Sequence, residues 1–157
     1  MTLDELVTVF SEPLPVGVVL TGAALDAPGP LIRYVNPAFC RITGYAAGEL
    51  IGTSPRRLQG AATQALALRA FSRAIRAGAR FHGVLVNYRK GGERYFCEID
   101  ARPLVGDDGA VARFIAFERE VVRPRGRPRD GASRFRPVLP EADLLPPVLA
   151  GPAPFAE

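Results

Sequence analysis

The chain has 157 residues, 48% of them hydrophobic, with a formal net charge of +4, which allows one ordinary domain with a core plus a tail. No apolar run approaches the roughly 18 residues of a membrane span, the start Met1-Thr2-Leu3-Asp4-Glu5-Leu6 is no export signal, and two cysteines make no disulfide framework. A cytoplasmic protein with reduced thiols and no membrane partner is expected.

Leu3, Leu6, Val7 and Phe10 recur at helical spacing, which predicts a short amphipathic helix. Pro15 to Leu20 and Leu31 to Val35 read as strands, joined by a loop containing Asp26, Pro28, Gly29 and Pro30. Asn36 then serves as N-cap, Pro37 as first helical residue and Gly44 as the stop of a second helix. A helical turn spans Ala46 to Leu50, and a longer helix runs from about Thr63 to Ala77, ended by Gly78. Three strands follow, Phe81 to Arg89, Glu93 to Leu104 and Val111 to Val121, with turns at Lys90-Gly91-Gly92 and Gly106-Asp107-Asp108-Gly109. After Val122, Pro, Arg, Gly and Ala dominate without periodicity, so residues 123–157 are expected to form a flexible tail docked only through Leu144 and Leu145. The order predicts an α+β domain over residues 15–122 with an antiparallel sheet, preceded by a helical cap at 1–14.

Period-two alternation assigns the faces of the sheet. With Asn87 inward, Phe81, Gly83, Leu85, Tyr95, Cys97, Ile99, Ala101, Phe114, Ala116 and Glu118 join it. Val84, Val86, Tyr88, Phe96, Ile115 and Phe117 form the opposite face. That face is too apolar for water, so a homodimer or a signalling partner is expected on it, with the amino-terminal helix covering part. Glu98 and Asp100 alternate outward with Arg102 and read as a solvated sheet edge, and the single histidine, His82, as a solvated or interface side chain. No metal-ligand cluster, nucleophile–base set or phosphate-cradling loop stands out, so no enzyme activity is expected.

Asn36-Pro37-Ala38-Phe39-Cys40-Arg41-Ile42-Thr43-Gly44-Tyr45, Glu49-Leu50-Ile51-Gly52 and Leu58-Gln59-Gly60, in this order and spacing, resemble a PAS domain. The LOV (light-oxygen-voltage) branch is the nearer likeness. Gly52-Thr53-Ser54-Pro55-Arg56-Arg57-Leu58-Gln59-Gly60 resembles its flavin-binding signature G-R-N-C-R-F-L-Q-G, Asn87-Tyr88-Arg89-Lys90-Gly91 its N-Y-x-K-x-G turn, and Phe114-Ile115-Ala116-Phe117-Glu118 its F-I-G-V-Q strand. The resemblance implies a PAS fold, a five-stranded antiparallel sheet cradling a ligand pocket against short helices, working as a sensory module.

It also implies a flavin site, FMN or FAD, with one decisive change. Pro55 stands where that family keeps the cysteine that bonds to light-excited flavin, and proline has neither sulfur nor a backbone N–H. Arg56 matches a phosphate-side position, Gln59 a ring-side one and Asn87 a ring-edge asparagine. Ser54 and Cys97 replace asparagines, and Glu118 replaces the glutamine that reports flavin state. Ser72 replaces a second phosphate-binding arginine, with Arg69 and Arg73 nearby. A flavin without covalent photochemistry, another small ligand, and a ligand-free dimerisation or adaptor module all stay open. The run Pro124-Arg125-Gly126-Arg127-Pro128-Arg129 resembles the R-G-R-P core of AT-hooks, but a solvated linker is the expected reading, with nucleic acid a minor alternative.

Overall fold

The computed structural model describes residues 1–126 and 135–139. Helix α1 (Leu3–Ser11) starts in a capping box in which Thr2 and Glu5 satisfy each other's backbone N–H groups. Strands β1 (Gly17–Gly22) and β2 (Ile32–Val35) follow, then helix α2 (Pro37–Thr43). Asn36 caps α2 by accepting from Phe39 N, and Gly44 ends it in the left-handed conformation. The short helix α3 (Ala47–Leu50), a 3-10 turn (Pro55–Leu58) and helix α4 (Ala65–Arg76) lead into β3 (Phe81–Tyr88), β4 (Arg94–Val105) and β5 (Val111–Val122). The strand order is β2-β1-β5-β4-β3 and every pairing is antiparallel. This is the expected α+β PAS architecture, with β5 at its centre.

The core lies between the inner face of the sheet and the helices. Leu85, Tyr95, Cys97, Ile99, Ala101 and Phe114 pack under Ile75 and Phe71 of α4. Val19, Ile32, Val35, Phe39, Leu50 and Leu58 form the neighbouring half. Asn36 ties the two ends of this layer together: its carboxamide oxygen accepts from Val18 N, and its Nδ2 donates to Ser11 O and Val16 O. Both outer strands are shielded. Thr63 Oγ1 donates to Val86 O and Gln64 accepts from Val86 N along β3, while the turn at Gly52 and Thr53 bonds Ile32 beside β2. Thr63 and Gln64 are thus spent on the sheet edge, and α4 starts two residues later than its sequence suggests.

Four expectations are corrected. The tail does return to the sheet: β6 (Arg136–Pro137) pairs with β5 at Val121 and Val122, Val138 N donates to Glu120 O, and the Phe135 ring meets Phe96 edge-on at 5.3 Å. Leu144, Leu145 and much of the arginine-rich run lie outside the described residues. Glu98 and Asp100 are not a solvated edge but are buried, because arginines from neighbouring positions close over them. His82 is likewise enclosed, 3.0 Å from Glu98. Finally, α1 does not lay its apolar stripe on the sheet. Its inward side carries Asp4, Val7, Thr8 and Ser11, and Asp4 accepts from Arg33 Nε at 2.6 Å and Arg113 Nε at 3.0 Å. None of Val84, Val86, Tyr88, Phe96, Ile115 and Phe117 is fully exposed. Tyr88, for one, packs its ring on Gly60 and accepts from Ala62 N.

Candidate functional site

A cavity of about 240 Å³ opens between the inner sheet face and α4. Alternation along the strands supplies Val19 and Thr21 from β1, Ala101 from β4, and Phe114, Ala116 and Glu118 from β5. Helical spacing supplies Leu68, Phe71, Ser72, Ile75 and Arg76 from α4. The 3-10 turn and its cap bring Ser54, Pro55, Arg56 and Gln59 to the third side. Ser54 Oγ accepts from Arg56 N, which fixes the turn's start. The walls are mainly apolar; of the charged lining groups, Arg56 and Arg76 are exposed and Glu118 is buried.

At the mouth, the exposed side chains of Arg56 and Arg76 both reach the cavity. Neither guanidinium has a hydrogen-bond or ion-pair partner among the described residues. Arg69 and Arg73 do not line the cavity. Arg76 does, because it lies one turn beyond Ser72 on the same face of α4. That four-residue spacing was the signal available in the sequence.

At the rear sits Glu118, buried, with its carboxyl pushed up to about 7 by desolvation. Its Oε2 accepts from the Cys97 thiol at 3.3 Å. Burial and the adjacent carboxyl push the Cys97 thiol well above its ordinary range, so it stays protonated and is no nucleophile at neutral pH. Behind them lies Tyr95, whose hydroxyl is buried without a hydrogen-bond partner among the described residues. Burial raises its pKa, and Asn87 lies near it without closing a hydrogen bond. Arg89 stacks on the Tyr95 ring at 4.4 Å and is held by Ile42 O and Glu120.

Of the six residues singled out from the sequence, Ser54, Arg56, Gln59 and Glu118 line the cavity together. Cys97 and Asn87 are buried beyond it, Cys97 connected through Glu118. Chemically, the arrangement offers cations for an anionic group at one end, an apolar slot in the middle, and a carboxyl able to donate or accept at the other.

Comparison with known proteins agrees with this fold. Residues 15–123 match the family model described as a PAS domain. The chain is 36% identical over 127 residues to a blue-light-activated histidine kinase of Rhizobium johnstonii, covering 80% of this chain and 35% of that one. It is 34% identical over 107 residues to the bacterioopsin transcriptional activator of Halobacterium salinarum, covering 68% and 16%. Among solved structures, a LOV domain from a blue-light activated histidine kinase of Erythrobacter litoralis superposes with a TM-score of 0.63 at 28% identity, over 68% of this chain and 96% of that one. The chain thus spans about a third or less of the length of these two curated relatives.

Proposed function

This chain belongs to the PAS domain family, as a sensory module of the LOV-like branch, and on that premise we propose that its cavity binds a flavin non-covalently and senses light or redox state without forming a cysteine adduct. The carrying observation is the polarity of the cavity: two arginines without acidic partners at the mouth and a protonatable carboxyl at the rear of an apolar slot. An elongated planar ligand with an anionic end fits that pattern. The mononucleotide FMN fits better than FAD, because about 240 Å³ is already below the roughly 300–1,000 Å³ typical of ligand pockets.

A bound flavin supplies blue-light absorption and electron acceptance. Arg56 and Arg76 hold its phosphate, with Ser54 and Ser72 as hydroxyl partners. Gln59 and the Glu118 carboxyl address ring-edge acceptors and donors. Because Glu118 titrates near neutrality, its carboxyl could hold or release a proton beside a bound ring, and the Cys97 thiol that donates to it would respond to that change. Pro55 lines the wall and offers no sulfur. Transmission runs along β5 to a homodimer contact or a signalling partner, and the module itself performs no catalysis.

Reconstitution of the apoprotein with FMN, riboflavin and FAD tests the reading by visible absorbance. FMN is expected to bind, and Arg56→Ala with Arg76→Ala is expected to weaken FMN about 10- to 100-fold while leaving riboflavin nearly unchanged. No binding of any of the three at micromolar concentration would defeat it. That outcome leaves the second reading, a ligand-free PAS adaptor, which the Cys97–Glu118 bond favours by satisfying two polar groups against each other.

A further inference from the structure

Residues 50–92 contain no aspartate or glutamate, so the 3-10 turn, α4 and β3 carry basic side chains with no acid of their own to neutralise them. Some of these cations are spent within the domain. Arg57 donates to Glu49 O, Lys90 pairs with Glu49, Arg80 with Asp100 and Arg89 with Glu120. Arg56, Arg69, Arg73 and Arg76 are exposed, and none of their guanidinium groups has a hydrogen-bond or ion-pair partner among the described residues. Helical geometry gathers three of the four. At roughly 100° and 1.5 Å per residue, Arg69, Arg73 and Arg76 fall within about 60° of one another and span about 10 Å along α4. Ala70 and Ala77 flank this ridge, and Leu66, 75% exposed, is the large apolar residue beside it.

We propose that this arginine ridge of α4 binds the phosphate backbone of duplex DNA, without reading its sequence. Charge complementarity selects the occupant. A duplex presents a phosphate about every 1.7 Å along its axis, so a ridge about 10 Å long meets several at once. Each planar guanidinium can grip one phosphate through two N–H groups. The major groove of B-form DNA, about 12 Å wide, admits an exposed helix between its phosphate rows, which the narrow groove of duplex RNA does not. A single strand is disfavoured, because no exposed residue of α4 is aromatic and an unpaired base would find no ring to stack on. An acidic peptide is disfavoured, because the flanking alanines supply no apolar groove to hold its side chains. An anionic membrane surface calls for a full apolar face beside the charges, where α4 has Leu66. Arg69 and Arg73 stand outside the cavity lining, so the surface does not depend on whether the cavity holds a flavin.

Fluorescence anisotropy of a labelled, mixed-sequence DNA duplex of about 20 base pairs, titrated with the full chain at about 50 mM salt, tests the proposal. Binding with a micromolar dissociation constant is expected. It should weaken as salt rises with a log–log slope of about three, from about 0.9 per phosphate contact. Arg69→Ala with Arg73→Ala should weaken it at least about tenfold and lower that slope by about two. Melting temperature should not change, because both side chains are exposed and hold no other group of the described residues. Arg125→Ala with Arg127→Ala and Arg129→Ala, in the run after Val122, should leave most of the binding in place. No anisotropy change up to about 100 µM protein overturns the proposal. So does binding that survives the α4 variant and is lost in the tail variant. A tighter hold on the single strand, equal displacement by polyglutamate, or capture by phosphatidylserine vesicles in preference to the duplex would each overturn it as well.

Discussion

Pro55 and Cys97 decide the chemistry of the cavity from opposite sides. Pro55 begins the 3-10 turn on the cavity wall, while Cys97 is held as a thiol behind Glu118 by burial and by the carboxyl it donates to. Neither position offers a reactive thiolate. Blue illumination of flavin-loaded protein is therefore expected to leave no thermally reversible sulfur adduct, read by difference absorbance and intact mass. Pro55→Cys, which puts sulfur on the wall, should introduce one. An adduct in the unmodified protein would show that Cys97 reaches the ring and would refute this reading. Gly60 carries a different constraint. A Cβ there would run into the Tyr88 ring, whose hydroxyl accepts from Ala62 N at 2.8 Å. Gly60→Ala should displace Tyr88, lose that bond and destabilise the fold by about 1–3 kcal/mol. Denaturant titration checks this, and Gly48→Ala, where nothing lies in the way, should cost far less.

Among the elements, legibility follows how local the signal is. Asn36-Pro37 at the start of α2 and Gly44 at its end declare that helix within nine residues, and the structure uses all three as the sequence suggests. Strand alternation correctly assigns Phe114, Ala116 and Glu118 to the cavity side of β5. What alternation cannot convey is what covers a face. Glu98 and Asp100 do point outward, yet Arg119 and His82 close on one, and Arg80 and Arg102 on the other. Those partners come from three strands and the loop before β3, a long-range arrangement with no sequence period. The same blindness affects α1, whose apolar stripe is visible as a period while the anchors that turn it outward, Arg33 and Arg113, are remote. The outer pairs are strong enough to test. Asp100→Asn removes the negative charge and one of the two oxygens that accept from Arg80 Nε and Nη2, both at 2.9 Å, and from Arg102 Nε at 3.2 Å. Leaving two guanidinium groups around a neutral amide should cost about 3–5 kcal/mol, read by urea unfolding at pH 7. A loss under about 1 kcal/mol would mean that the pair behaves as a surface bridge.

For the whole molecule, the sheet carries carboxylates of opposite character on its two faces, and their linkage to folding has opposite sign. On the outer face, hydrogen bonds and charge from Arg119 and His82 outweigh burial at Glu98, and those from Arg80 and Arg102 do so at Asp100, so both titrate below their ordinary values. Their stabilisation is complete above the unfolded carboxylate range and is lost as pH falls through their lowered folded values. On the inner face, burial raises Glu118 from 4.5 to about 7. In the unliganded protein its contribution is fully present below 4.5 and declines as pH rises toward 7, because the unfolded chain ionises while the folded one keeps its proton. A shift of that size corresponds to a penalty on the order of 3 kcal/mol above pH 7. Stability of the apoprotein should therefore peak near pH 5, falling on the acid side through the outer pairs and on the alkaline side through Glu118. Glu118→Gln separates the limbs: it should flatten the alkaline decline, raise stability at pH 8, and match the parent protein near pH 4. Urea midpoints across pH 3 to 9 give the curve. A parent protein as stable at pH 8 as at pH 5, with Glu118→Gln bringing no gain, would mean that a partner for the Glu118 carboxylate exists in the folded protein and that the rear of the cavity is already charged at neutrality.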